Sequence, residues 1–209
     1  MCSSDLKLIT LIAVTSALHV GATSAADTSA LTVNKGSNKA GDGNSVTFQG
    51  NPLPLMGTGI EVGKPLPSAV LTNGSLGPVN LADSKGKVKI INIVPSIDTK
   101  TCEEQTHQLS EKNGGLDKQV ELYTVSMDLP FAQQRFAKEA KINNVTFLSD
   151  YKTGDFAKNY GLLIAPLHLI ARSVIVTDKE NIVRYIQVVP EITNLPDMEA
   201  AMVAAKALL

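Results

Sequence analysis

A second cysteine is what the body of this sequence lacks. The chain of 209 residues holds two, Cys2 at the extreme front and Cys102 near the middle. A set of paired cysteines would point to a disulfide framework in an oxidising compartment. If the front of the chain is removed, Cys102 stands alone, and a lone cysteine is either an inert buried residue or a reactive thiol. Clustered basic residues are missing too. The net charge is −1, and no stripe of Lys and Arg offers a footprint for nucleic acid. Beyond the first segment the histidines are His107 and His168, far apart and without the Cys or carboxylate spacing of a metal-ligand set. A phosphate loop is excluded as well. "MGTGIEVGKP" has Thr58 where the first glycine belongs, and Pro65 follows Lys64 where Ser or Thr must hold a cation. No internal repeat is present, and no apolar run reaches the ~20 residues that span a bilayer.

What is there begins with a leader. Lys7 precedes "LITLIAVTSALHVGA", and the small residues Ser24 and Ala26 stand in the −3 and −1 places before Asp27. Residues 1–26 therefore read as a cleavable signal peptide, with a periplasmic or secreted mature protein and no membrane contact after cleavage. Residues 27–45, rich in Ser, Asn, Gly and Lys, read as a flexible tail, and the folded domain is expected over 46–209. "VTFQGNPLPL" predicts a β-hairpin turning at Gly-Asn-Pro. "VKIINIV" (88–94) is β-branched and mostly apolar, as a strand covered on both faces requires. A helix follows from Cys102 to about Lys112, with Leu109 as its inward residue. Further strands are predicted over 120–127, 145–150 and within 173–189, and further helices over 130–140, 154–161 and 197–209. Strands alternating with helices make an α/β protein with a central sheet.

Cys102 sits where a strand gives way to a helix. Thr99 is a candidate N-cap, which makes Cys102 the third helical residue, facing free backbone N–H groups that favour a thiolate. That is not enough. An unperturbed thiol, with a pKa of about 8.5, is ~3% ionised at pH 7, and bringing it to about 6 takes ~3.4 kcal/mol. A helix terminus supplies about 0.3–1 kcal/mol. A guanidinium must come from elsewhere in the chain. His107 is not the missing partner, because five residues along a helix turn it ~140° away from the cysteine.

"VPSIDTKTC" resembles the peroxiredoxin motif Pro-x-x-x-Thr-x-x-Cys, filled here by Pro95, Thr99 and Cys102. "FQGNP", "PSIDT", "DLPFAQQRF" and "VVPEITNLPD" are similar to the bacterial thiol peroxidase branch, the atypical two-cysteine peroxiredoxins. The resemblance implies a thioredoxin-like fold, a central β-sheet flanked by helices with an N-terminal β-hairpin, that reduces hydrogen peroxide and organic hydroperoxides without cofactor or metal. It implies that Cys102 attacks the peroxide and becomes a sulfenic acid, and that Thr99 hydrogen-bonds thiolate and peroxide. It supplies Arg172, in "IARSVIV", as the missing guanidinium, and gives Pro95 the task of shielding the pocket from water. It also implies a homodimer. Two features depart from the pattern: "GLLIAPLHLIAR" before Arg172 is shorter and lacks the family's internal glycines, and the branch has its resolving cysteine after "DLPFAQxRF", where this chain has Ala137. An external thiol or a thioredoxin-like reductant is therefore the expected partner of the sulfenic acid. A peroxide-sensing redox protein without turnover is the alternative.

Overall fold

The computed structural model describes residues 31–209; the leader predicted over 1–26, and Cys2 with it, lies outside the described residues. From Ser45 the chain forms a hairpin of β1 (Ser45–Phe48) and β2 (Asn51–Met56), then two short strands, β3 (Leu71–Asn73) and β4 (Pro78–Val79). Next come β5 (Lys89–Ile93), α1 (Lys100–Glu111), β6 (Glu121–Ser126), α2 (Pro130–Glu139), β7 (Thr146–Ser149) and α3 (Asp155–Asn159). The last part holds the small strands β8 (Leu163–Ile164) and β9 (Leu169–Ile170), the long pair β10 (Ser173–Thr177) and β11 (Val183–Val188), and α4 (Met198–Lys206). The strands predicted from apolar runs and the helices predicted from periodicity are all present. The four two- and three-residue strands were too short to leave a pattern.

Seven strands form the main sheet, in the order β11-β10-β5-β6-β7-β3-β4. β5, β6 and β7 run parallel, and β10 lies antiparallel to both β5 and β11. All five residues of β5 are buried because both of its faces are covered. Successive side chains point to opposite faces, so Ile91 and Ile93 join one apolar cluster with Val125, Leu148 and Phe156. Ile90 joins the other, where Leu109 of α1 and Met198, Ala201 and Ala205 of α4 cover the sheet. The parallel arrangement brings the end of β5 and the start of α1 to the middle of one sheet edge, the usual place for a site in such sheets.

Two expectations need correction. The hairpin turns at Gln49 and Gly50, both left-handed at φ 51° and 79°, while Asn51 and Pro52 already belong to β2. A two-residue turn of this hand matches the twist of the flanking strands. The second concerns the tail. From Leu31 on it is a strap laid against the outer strand of the main sheet. Asn38 donates its N–H to Val188 O at 2.9 Å, Asn34 donates to Leu195 O, and Leu195 donates back to Thr32 O. The buried Gln187 side chain donates to the carbonyls of Asn34 and Gly36, at 2.6 and 2.9 Å, and the Ser37 hydroxyl accepts from Val188 N–H. The strap has almost no apolar anchors, so composition read it as loose. An unpaired sheet edge offers backbone partners to any extended chain, and this segment takes them.

Removing residues 31–41 strips the Val188 and Leu195 amides of their acceptors. Their hydrogen exchange should accelerate selectively while the amides of β5 and β6 keep their protection; unchanged exchange at Val188 and Leu195 would show that the strap does not brace this edge.

Candidate active site

The site is assembled from the loop after β5, the first turn of α1, the residue that opens β10 and the loop after β11. Asp128, which follows β6, holds the first of these. Its carboxylate accepts from the Ser96 hydroxyl and from Ile97 N–H, both at 2.8 Å. Thr99 then takes an extended conformation as the residue before the helix, at φ −120° and ψ 142°, without a capping bond from its side chain. Cys102 is the third residue of α1 and is fully buried.

Arg172 meets it there. The residue is 2% exposed, and its guanidinium uses every edge: Nη2 donates to Cys102 Sγ at 3.2 Å, Nη1 to Gln105 Oε1 at 2.6 Å, and Nε to the carbonyl of Ile192 at 2.8 Å. Burial lowers the pKa of Arg172 from the ordinary arginine value, and the neighbouring Cys102 works in the opposite direction. A charge taken out of water must be paired and hydrogen-bonded to remain there, and here the sulfur, a side-chain amide and a backbone carbonyl share the task.

The loop carrying Ile192 is itself tied down. Glu191 accepts from the Thr47 hydroxyl at 2.8 Å, from Gln49 and Gly50 N–H at 3.1 and 3.0 Å, and from the N–H and hydroxyl of Thr193. Burial opposes its charge, but these donors outweigh it and hold the carboxyl down to about 2. One carboxylate thus clamps the hairpin turn onto the loop that seats the arginine. The neighbouring Thr193 carbonyl accepts from the Thr101 hydroxyl in the first turn of α1.

Arg172 also lines a mostly apolar cavity of about 260 Å³, which it shares with Phe48, Pro95, Thr99, Leu167, Leu169 and Ile192. Pro95 is buried in the wall, and the Thr99 hydroxyl turns to the Ser96 carbonyl at 3.4 Å. His107 points elsewhere, with Nδ1 2.7 Å from Glu111 on the helix's outer side. Ala137 is half-buried on α2, whose Ala132 and Phe136 pack against the small cluster of Val94, Ile97 and Cys102. Cys102 is the free cysteine of the described residues.

The sequence reading missed Gln105, Asp128 and Glu191. Leu109 faces inward as expected, and Gln105 and Thr106 are buried on that face too. A Gln one turn after the cysteine, on the same side as Leu109, was the available signal. Asp128 and Glu191 both lie inside quoted motifs, "DLPFAQQRF" and "VVPEITNLPD", with nothing in their spacing to say what they hold.

The chain matches the family model described as Redoxin over residues 61–202. It is 46% identical over 165 residues to a thiol peroxidase of Halalkalibacterium halodurans, covering 79% of this chain and 99% of that protein. Identity to a thiol peroxidase of Bacillus subtilis is 43% over 164 residues, covering 78% of this chain and 98% of the other. Among solved structures, a peroxiredoxin-like protein from Aquifex aeolicus superposes with a TM-score of 0.74 at 40% identity, over 79% of this chain and 97% of that one.

Arg172→Lys keeps a positive charge but loses the fork that spans Cys102, Gln105 and Ile192. The rate of Cys102 oxidation by peroxide should fall by about a hundredfold at neutral pH, with the deficit shrinking as pH rises and ionises the thiol directly. A parent-like rate, measured by stopped-flow oxidation, would mean that another cation serves the sulfur.

Proposed function

The chain belongs to the Redoxin family, and from that premise we propose that it is a one-cysteine thiol peroxidase. The fold is the thioredoxin-like fold of peroxiredoxins, with a central sheet, flanking helices and an N-terminal hairpin. The observation that carries the proposal is the 3.2 Å hydrogen bond to Cys102 Sγ from Arg172, which itself lines an apolar cavity.

In the first step the Cys102 thiolate attacks the near oxygen of a hydroperoxide. An S–O bond forms and the O–O bond breaks. The sulfur is oxidised by two electrons, and the leaving oxygen departs as water or an alcohol after taking a proton. Arg172 serves both ends: it stabilises the sulfur anion before attack and offers N–H groups to the oxygens as charge moves onto them. Thr99, on the cavity wall, adds a hydroxyl that can turn toward the peroxide, and Pro95 keeps bulk water from the sulfenic acid. With Ala137 at the place of a resolving cysteine, a thiol from another molecule attacks the sulfenic acid and releases water. A second thiol then displaces Cys102 from the mixed disulfide. Hydrogen peroxide and small organic hydroperoxides are the substrate class, and a small or thioredoxin-like thiol is the reductant. The reaction calls for neither cofactor nor metal.

The test is turnover. Purified protein with dithiothreitol should consume peroxide catalytically, and Cys102→Ser should abolish it. One equivalent of oxidation without turnover would favour a peroxide sensor, and no fast oxidation at all would exclude both readings.

We also propose that the mature protein begins near Asp27, acts as a homodimer and works in the periplasm or outside the cell. The leader pattern of residues 1–26 supports the location, and resemblance alone supports the dimer. N-terminal sequencing of an exported form should begin close to Asp27; recovery of the protein solely in the cytoplasm with Cys2 retained would overturn this.

A further inference from the structure

Arg172 and Cys102 stand at one end of a buried polar chain that no peroxide reaches. Asn92 is the fourth of the five residues of β5, beside Ile90, Ile91 and Ile93, and is fully buried. An apolar residue would fill that place without the cost of desolvating an amide. The amide is instead fully engaged. Its Oδ1 accepts from Gln105 Nε2 at 2.6 Å, and its Nδ2 donates to the hydroxyls of Thr106 and Thr124 at 3.3 and 3.0 Å. Thr124 is its register neighbour on β6. The Thr106 hydroxyl in turn donates a hydrogen bond to the carbonyl of Cys102 at 2.8 Å.

The direction of every link is fixed by the two ends. A guanidinium only donates, so the atom of Gln105 facing Arg172 must be its oxygen. Its nitrogen must then face Asn92, which presents oxygen to it and nitrogen to Thr106. The Thr106 oxygen accepts from that nitrogen, and its proton goes to a carbonyl, which only accepts. Starting from the sulfur's arginine, the chain returns to the sulfur's own backbone. A side-chain amide can rotate by half a turn with little change in shape, and Gln105 turned the wrong way would aim N–H groups at N–H groups.

We propose that Asn92 and Thr106 are positioning residues for the peroxidase reaction: together they hold Gln105 in the one orientation that lets Arg172 keep its hydrogen bond to Cys102. The proposal rests on the peroxidase reading. Asn92→Leu removes the acceptor of Gln105 and leaves its nitrogen the Ile93 and Ser173 carbonyls at 3.4 Å, contacts too long to set the amide's direction.

The experiment is stopped-flow oxidation of Cys102 by hydrogen peroxide across pH, on full-length parent and variants. A parent that does not react defeats the peroxidase reading itself. Given a reactive parent, Asn92→Leu should react about tenfold more slowly at neutral pH, the factor one well-made buried hydrogen bond carries. Its rate should also plateau at higher pH than the parent's. Thr106→Val should show the same kind of loss and shift, whereas Thr106→Ser, which keeps the hydroxyl, should stay within about twofold of the parent. A purely structural role would lower the yield of folded protein without moving the pH profile of the folded fraction. The proposal is overturned if Asn92→Leu keeps the parent's profile, or if the two Thr106 variants are alike. Should Asn92→Leu fail to fold, the Thr106 pair decides.

Discussion

A guanidinium held out of water beside a sulfur is the constraint from which the rest of this structure follows. Arginine remains charged at any working pH, so burying it demands that its edges be met by acceptors. Here the acceptors come from two parts of the chain far apart in sequence: the sulfur and an amide one turn further along α1, and a carbonyl in the loop after β11. Each of those must be held in turn. Asp128 fixes the loop into α1, and Glu191 fixes the loop after β11 against the hairpin. The strap then pairs with the outer edge of β11 and with Leu195 beyond it. The reactive pair is small, but its supports reach from residue 32 to residue 195.

Carboxylates and carbonyls in these supports do work that apolar packing does badly. A packed core sets distances to within the slack of a side chain, whereas hydrogen bonds also set direction. Glu191 shows the difference. Burial alone would push its carboxyl toward the neutral form, yet the donors from the hairpin turn and Thr193 hold it ionised. It therefore joins two backbone segments at fixed angles. The apolar clusters on the two faces of the sheet supply bulk stability; the polar links decide where the guanidinium points.

Much of this was legible in the sequence where side-chain pattern and function coincide. β5 announced itself through its β-branched apolar residues, though Lys89 and Asn92 interrupt them, and Cys102 as a thiol after a Pro and a Thr at a strand-to-helix junction. Arg172 became visible through resemblance, since nothing in local spacing ties it to a cysteine 70 positions away. What stayed hidden has a common physical cause. Gln105 and Thr106 are polar residues facing inward, and a pattern search for apolar periodicity places them outside. The strap binds through main-chain groups, which every residue possesses and no composition reveals. The hairpin turn uses Gln49 at positive φ, a conformation its side chain does not advertise, whereas Gly-Asn-Pro carries the residue types typical of turns.

The contacts between the strap, the hairpin and the loop after β11 also have a meaning in time. Thr47 and Glu191 are 144 positions apart, and Gln187 reaches back 153 positions to Asn34. Contacts of such separation close late, because the entropy of the intervening loop must be overcome first. A chain made or exported from its N-terminus has its cysteine long before it has Ile192 to seat the arginine. Until the C-terminal quarter arrives, the Cys102 sulfur has no guanidinium beside it. The placement of these contacts thus ties the pairing of Arg172 with Cys102 to the near-completion of the polypeptide.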